Sequence, residues 1–200
     1  MFLGQRMRSE SYFYNCSKQY LDSINTVLYG EVLDVVSQLP KRRTQAELNT
    51  DLFWLLTSKG WSYDSKPTGV NNTPPNNLPV NIKKVSLKDI KKNNVRGNCL
   101  TSTTLKAKWH SDFAKLFADK LVQLEVQFGT VESMFKDFCG YKIAQHERRL
   151  ELGIEIVMSE PMKYFSHRKN AISGMAYFDI AKSTLPTIGF DCPIWLIGIK

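Results

Sequence analysis

The chain has 200 residues, of which 42% are hydrophobic and 23% are charged, as in an ordinary globular domain. This composition argues against a disordered tail, a collagen-like fibre and a coiled coil, and no apolar run is long enough to cross a bilayer. The 27 Lys and Arg against 19 Asp and Glu give a net charge of +8, which favours a polyanionic partner, nucleic acid before a membrane surface.

The first part of the chain is predicted to be helical. Its N-terminus has too short an apolar stretch for a secretory signal. Residues 17–38 carry apolar side chains at every third or fourth position, which predicts one amphipathic helix. Residues 44–59 predict a second helix, because Thr44 and Glu47 have capping-box spacing and Gly60 follows where a helix C-cap is expected.

The middle of the chain combines a loop with a basic segment. Residues 62–81 are rich in Pro and Asn pairs and predict an exposed, irregular insertion. Residues 81–108 hold a net charge of +7, which is typical of contact with a nucleic-acid backbone but also of a solvated Lys-rich loop and helix. Within this segment, residues 98–104 predict a turn. The basic residues are Lys83, Lys84, Lys88, Lys91, Lys92, Arg96, Lys106 and Lys108, against Asp89 alone.

The last part of the chain is predicted to be mostly β. Residues 121–128 alternate with a period of two, and residues 152–158 and 194–199 form apolar strands. Residues 131–145 fit either a helix or a strand, and residues 170–184 predict a loop followed by a helix. Together these elements predict an α/β (or α+β) fold with a central mixed β-sheet flanked by helices. We expect a single domain with a helical part (1–61), a loop and basic segment (62–108) and a core (109–200).

Strand 121–128 carries polar residues that could do chemistry. Glu125 and Gln127 lie on one face of it, and a buried, unpaired carboxylate costs several kcal/mol unless it is neutralised. A divalent cation would remove that cost, since Mg²⁺ prefers carboxylate oxygens. A hairpin between residues 110 and 128 could bring Asp112 beside Glu125, with Asp119 as a rival ligand of the same strand parity. Alternatively, the polar residues simply form a solvent-facing side of the strand.

The sequence proposes no other catalytic pattern, although a serine or cysteine hydrolase triad stays open. The four cysteines (Cys16, Cys99, Cys139, Cys192) are far apart and have no zinc-ligand spacing, so we expect free thiols in a reducing cytoplasm. The three histidines share no motif, and there is no P-loop or dinucleotide fingerprint.

Five motifs in order resemble the BglII/BstYI group of type II restriction endonucleases, relatives of BamHI in the PD-(D/E)XK nuclease superfamily. The resemblance covers residues 105–200 well and thins upstream to the KGW at the end of the second predicted helix. The motifs are Ser111-Asp112-Phe113, Leu124–Gly129 (LEVQFG), Gly153–Val157 (GIEIV) followed by Met158, Ser173–Phe178 (SGMAYF) and Leu196–Ile199 (LIGI).

The resemblance implies a restriction-endonuclease-like core that works as a homodimer on palindromic double-stranded DNA. It implies Mg²⁺- or Mn²⁺-dependent hydrolysis of one phosphodiester per subunit, leaving 5′-phosphates, in a restriction-modification system. Carried over, Asp112, Glu125 and the carbonyl of Val126 are metal ligands. Gln127 stands where most members of the superfamily have lysine. Because the amide is a weak base and carries no charge, we expect Gln127 to orient the attacking water.

The sequence departs from this family in the gap of thirteen residues between Asp112 and Glu125, which would lengthen the hairpin. Asp112 is favoured over Asp119 because Ser-Asp-Phe carries the family context. The residues after Gly129 also differ, so the target, a GATC-centred palindrome in the nearest relatives, is open. Candidate DNA-binding residues, each of which could instead be a phosphate contact or plain surface, are Thr130, Ser133, His167, Arg168, Lys169, Asn170 and Ser173.

Three other functions compete with the restriction endonuclease. The first is a repair or nicking nuclease on the same scaffold, and the second is a DNA-binding module without catalysis. The third, an RNA-binding protein, depends on the basic segment alone, because no stacking motif accompanies it.

Overall fold

The structure is a computed structural model that describes residues 7–103, 109–147, 149–165 and 174–200. Its strands are β1 (Ser9–Tyr14), β2 (Ser62–Tyr63), β3 (Phe113–Phe117), β4 (Lys120–Gln127), β5 (Leu150–Met158) and β6 (Ile194–Ile199). Its helices are α1 (Lys18–Ile24), α2 (Leu28–Ser37), α3 (Gln45–Ser58), α4 (Val80–Lys83), α5 (Leu87–Asn93), α6 (Gly97–Thr101), α7 (Val131–His146), α8 (Pro161–Tyr164) and α9 (Phe178–Thr187).

The strands form one mixed sheet in the order β1-β6-β5-β4-β3-β2. β4, β5 and β6 are parallel, so their carboxyl ends meet at one edge of the sheet. β3 runs antiparallel to β4, which brings the start of β3 to that same edge. The predicted α/β fold with a central mixed sheet flanked by helices is therefore confirmed.

Helices cover both faces of the sheet. Apolar side chains of α1, α2 and α3 pack on one face, against Leu124, Ile154 and Trp195 among others. Helices α7 and α9 pack on the other face, against Val157 and Leu196. Each of these two helices follows one parallel strand and precedes the next, as parallel pairing requires. Among the described residues no helix is long and apolar enough to span a membrane.

Most predicted helices and strands are confirmed, but residues 17–38 and 98–104 differ from the prediction. Residues 17–38 form two helices instead of one, because the Asn25 side chain accepts a hydrogen bond from the Val27 N–H (3.0 Å) and stops α1. The turn predicted for residues 98–104 is wrong for residues 98–101, which belong to α6, and residue 104 lies outside the described residues. The capping box of α3 at Thr44 is present, and the ambiguous segment 131–145 is helix α7.

The predicted exposed insertion at residues 62–81 is only partly exposed. Val70 and Leu78 are buried in the core. Arg42 reaches the segment as well: its guanidinium pairs with the fully buried Asp51 (2.5 and 2.7 Å) and donates to Asn77 (2.7 Å). These contacts fix the course of the insertion despite its Pro- and Asn-rich sequence.

Candidate active site

The β3–β4 hairpin brings Asp112 and Glu125 together. Phe113 pairs with Leu124, so the residues next to them, Asp112 and Glu125, face each other at the sheet edge described above. The backbone N–H of Asp112 donates to Glu125 Oε2 (3.3 Å), and the Val126 N–H donates to Asp112 Oδ2 (3.0 Å). The thirteen-residue gap in sequence is thus closed by strand pairing. Asp119 lies in the turn at the opposite end of the hairpin.

Glu125 is nearly buried, with 5% of its surface exposed, and its Oε1 has no hydrogen-bond partner among the described residues. Burial, followed by the negative charge of Asp112, raises the pKa of Glu125 well above its ordinary value. Asp112 is exposed as a residue. Protein atoms around its carboxylate nevertheless exclude much of the water there, and this desolvation raises the pKa of Asp112. Gln123 is fully buried, so the alternative of a solvent-facing strand is wrong for Gln123 and Glu125.

Gln127 is held at both ends of its amide. Its Nε2 donates to Asp137 Oδ2 on α7 (2.6 Å), and its Oε1 accepts the N–H of Gly129 (2.8 Å). These two contacts fix the orientation of the amide. They leave one hydrogen on Nε2 and one lone pair on Oε1 for other partners. Burial raises the pKa of Asp137 to about 6, the Gln127 hydrogen bond opposes that shift, and the charge of Asp112 adds to it.

A second buried glutamate stands directly beside the first. Glu155 on β5 pairs in register with Glu125 on β4, is fully buried, and neither of its carboxylate oxygens has a hydrogen-bond partner among the described residues. The nearby hydroxyl of Tyr141 donates instead to the carbonyl of Ile154 (2.6 Å). Burial, and then the charge of Asp137, raises the pKa of Glu155 well above its ordinary value. Four acidic residues therefore gather between the sheet and α7.

Sequence reasoning did not predict Asp137, and it quoted Glu155 only as part of a strand motif. The alternation of β5 offered a signal for Glu155, because it places a carboxylate inside an otherwise apolar strand. Asp137 gave no local signal, since its role depends on how α7 packs. Asn49 is a further unpredicted residue: it lines a small cleft with Asp112, and its buried Oδ1 has no partner among the described residues.

A tight contact between a loop and α7 fixes the approach to Asp112. The Trp109 ring stacks edge-on against Tyr141 and lies directly over Gly140. A Cβ at Gly140 would come within 1.8 Å of the Trp109 ring, so only glycine leaves room for it. Because Trp109 precedes Asp112 by three residues, this contact also positions the start of β3.

The buried carboxylates have the chemistry of a divalent-cation site. The unpartnered oxygens of Glu125 and Glu155 are hard ligands that a cation would satisfy. In the part of the chain that the structure describes, no group of three or more His, Cys, Asp or Glu side chains forms a ready metal cluster. A set of two carboxylates and one backbone carbonyl needs no such cluster, because Mg²⁺ usually binds one or two carboxylates and keeps several waters.

The predicted DNA-binding residues divide into two groups. Thr130 and Ser133 lie at the start of α7, where the Thr130 hydroxyl accepts the Ser133 N–H (3.3 Å) and caps the helix. This places them three to six residues beyond Gln127, at the same edge of the sheet. His167, Arg168, Lys169, Asn170 and Ser173 lie outside the described residues.

The sequence of the chain matches the model of a known protein family. A sequence model of the family described as "Restriction endonuclease BglII/BglIII" matches residues 8–199 of the 200-residue chain. No curated protein matches the chain.

Proposed function

The chain belongs to the restriction endonuclease BglII/BglIII family, and we propose that it hydrolyses palindromic double-stranded DNA in a Mg²⁺-dependent reaction that leaves 5′-phosphates. The observation that carries this proposal is the convergence of Asp112, Glu125 and Gln127 at one end of the β3–β4 hairpin. A homodimer, with one such site per subunit, would match the symmetry of a palindrome, and such an enzyme would act on DNA in the cytoplasm.

In this proposal, Asp112, Glu125 and the carbonyl of Val126 hold Mg²⁺ or Mn²⁺. When bound, the cation would polarise the scissile phosphoryl group and lower the pKa of a water. Gln127 carries no charge, so its contribution is orientation: its amide, fixed between Asp137 and Gly129, can direct a water with its free hydrogen or lone pair. Glu155 lies beside Glu125 on the neighbouring strand, and a cation bound at the site would favour the ionised form of both carboxyl groups.

Digestion of unmethylated plasmid or phage DNA tests the proposal. Purified protein with millimolar Mg²⁺ is expected to give discrete fragments with 5′-phosphate ends, and EDTA should abolish them. Glu125→Gln should lose cleavage, whereas Asp119→Asn, the same change of carboxylate to amide at the far end of the hairpin, should retain it. Thermal unfolding of both variants checks that they fold.

Three outcomes would count against parts of the proposal. A smear or a nick in place of fragments would leave a nuclease but remove sequence specificity. Loss of cleavage in Asp119→Asn with retention in Glu125→Gln would refute the assigned ligands. Tight DNA binding without cleavage under any metal would favour a binding module, and sequencing of fragment ends would otherwise give the recognition site.

A further inference from the structure

Six cations lie on the surface formed by α4, α5 and the residues up to the start of α6. We call this the basic surface; it consists of Lys83, Lys84, Lys88, Lys91, Lys92 and Arg96, and all six are exposed. Within the described ranges none of them forms an ion pair, whereas Lys18, Lys115 and Lys142 do. The acidic residue within it, Asp89, accepts a hydrogen bond from the Ser86 hydroxyl (2.5 Å) at the start of α5. Its charge therefore faces the helix N-terminus.

The pattern of α5 explains why the lysines point outward together. Leu87 and Ile90 are buried in the core. Lys88, Lys91 and Lys92 follow the i, i+3, i+4 spacing of one helix face, and all three are exposed. Like charges so close repel each other and destabilise a helix, which makes their clustering costly without an anionic partner.

Hydrogen bonds hold the basic surface at a fixed place near the candidate active site. The side chain of Asn94, just after α5, accepts the N–H of Tyr63 and donates to its carbonyl (2.9 Å each). Tyr63 pairs with Phe113, and the N–H of Asp64 donates to the carbonyl of Asp112 (3.1 Å). With neighbouring strands about 4.8 Å apart and a helical turn of about 5.4 Å, the last lysines of α5 lie within roughly 20 Å of Asp112.

The other end of the segment is anchored as well. Gln123, which is buried in β4 two residues before Glu125, donates to the carbonyl of Leu100 in α6 (2.9 Å). Arg149 donates to the carbonyl of Ser102 (2.8 Å). The charge is therefore attached to the same sheet that carries the carboxylates and does not sit on a free loop.

We propose that the basic surface binds the phosphate backbone of duplex DNA beside the cleaved site, outside the bases that are recognised. The proposal rests on the proposed function for the position of the cleaved phosphate. A distance of roughly 20 Å along a duplex corresponds to roughly six base pairs at 3.4 Å each. These contacts add affinity that depends on salt and not on sequence.

Neutralisation of the helix face tests this surface. The variant Lys88→Gln/Lys91→Gln/Lys92→Gln removes three charges, and Lys18→Gln/Lys120→Gln/Lys142→Gln removes three at the opposite end of the sheet. The arginine triple, Lys88→Arg/Lys91→Arg/Lys92→Arg, keeps the charge. The affinity of each protein for a mixed-sequence duplex of roughly 40 base pairs is measured in EDTA over a series of salt concentrations, so that no cleavage is needed.

We expect the glutamine triple on α5 to reduce the slope of log affinity against log salt by about 2–3 and to weaken binding by up to roughly 100-fold at physiological salt. The control triple and the arginine triple should match the wild type. An unchanged slope in the α5 triple, an equal loss in the control triple, or no DNA binding by the wild type would overturn the proposal. Failure of cleavage with a reduced slope would refute the proposed function and leave the DNA-binding surface standing.

Discussion

Asp137 offers a direct test of the electrostatics of the candidate active site. Only 9% of its surface is exposed, and burial raises its pKa from 3.8 to about 6, with a further contribution from the charge of Asp112. A carboxyl group whose pKa is higher in the folded than in the unfolded state stabilises the fold most at low pH. That stability is lost as pH rises from about 4 through about 6, because the folded protein then has to bury the charge.

The variant Asp137→Asn removes this charge and keeps the shape and an acceptor oxygen for Gln127 Nε2. One pKa unit corresponds to about 1.4 kcal/mol, so a shift of roughly two units is worth about 3 kcal/mol once the group is fully ionised. We therefore expect the variant to exceed the wild type in free energy of unfolding by about 1 kcal/mol at about pH 4.5 and by about 3 kcal/mol at about pH 7.5.

Urea unfolding of the metal-free protein, followed at several pH values, measures this difference. Asp119→Asn makes the same substitution at an exposed turn and is the control for the change of carboxylate to amide itself. The reasoning would be refuted if the difference in free energy of unfolding between Asp137→Asn and the wild type did not change with pH. It would also be refuted if the variant were less stable than the wild type at about pH 7.5, because ionisation of Asp137 would then not destabilise the fold.

Three further predictions concern stability and metal binding. Arg42→Ala removes the ion-pair partner of the buried Asp51 and should lower the free energy of unfolding by about 3–5 kcal/mol in urea titration. A loss under about 1 kcal/mol would contradict this. Gly140→Ala should displace Trp109, cost about 1–3 kcal/mol and alter the near-UV circular dichroism, whereas Gly30→Ala, with open space around its Cβ, should not destabilise the protein. Mg²⁺ should raise the melting temperature more at about pH 8 than at about pH 5, because the raised pKa of Glu125 keeps this ligand protonated in acid; Glu125→Gln should remove the effect, and an equal rise at both pH values would argue against it.

The elements that the sequence predicted well are those whose signals are local. The capping box at Thr44 and the alternation of residues 121–128 each depend on neighbours a few positions away, and both predictions are confirmed. The side chain of Asn25 breaks a helix by a contact two residues along the chain, a competition that apolar periodicity does not register. Strand β1 was not predicted, because its pairing partner β6 lies about 180 residues further on.

The candidate site shows the same difference between local sequence signals and contacts that depend on tertiary packing. Strand parity and a hairpin were enough to predict that Glu125 and Gln127 share a face and that Asp112 could approach them. Asp137 meets Gln127 only because α7 folds back across the sheet between β4 and β5. A contact of this kind depends on the packing angle of a whole helix, which no short pattern in the sequence specifies.

The pairing of Glu155 with Glu125 gives a physical reason to regard this region as a site and not as an accident of packing. Glu155 lies on β5, which has a parallel strand on each side, and Val, Ile or Leu would pack there without cost. Burial of its carboxyl group costs stability, because neither oxygen has a hydrogen-bond partner among the described residues. Natural proteins keep such locally unfavourable residues mainly where function requires them. A cation bound at Asp112 and Glu125 would favour the ionised form of the neighbouring acidic residues as well, so Asp137 and Glu155 strengthen the case for metal binding at this edge of the sheet.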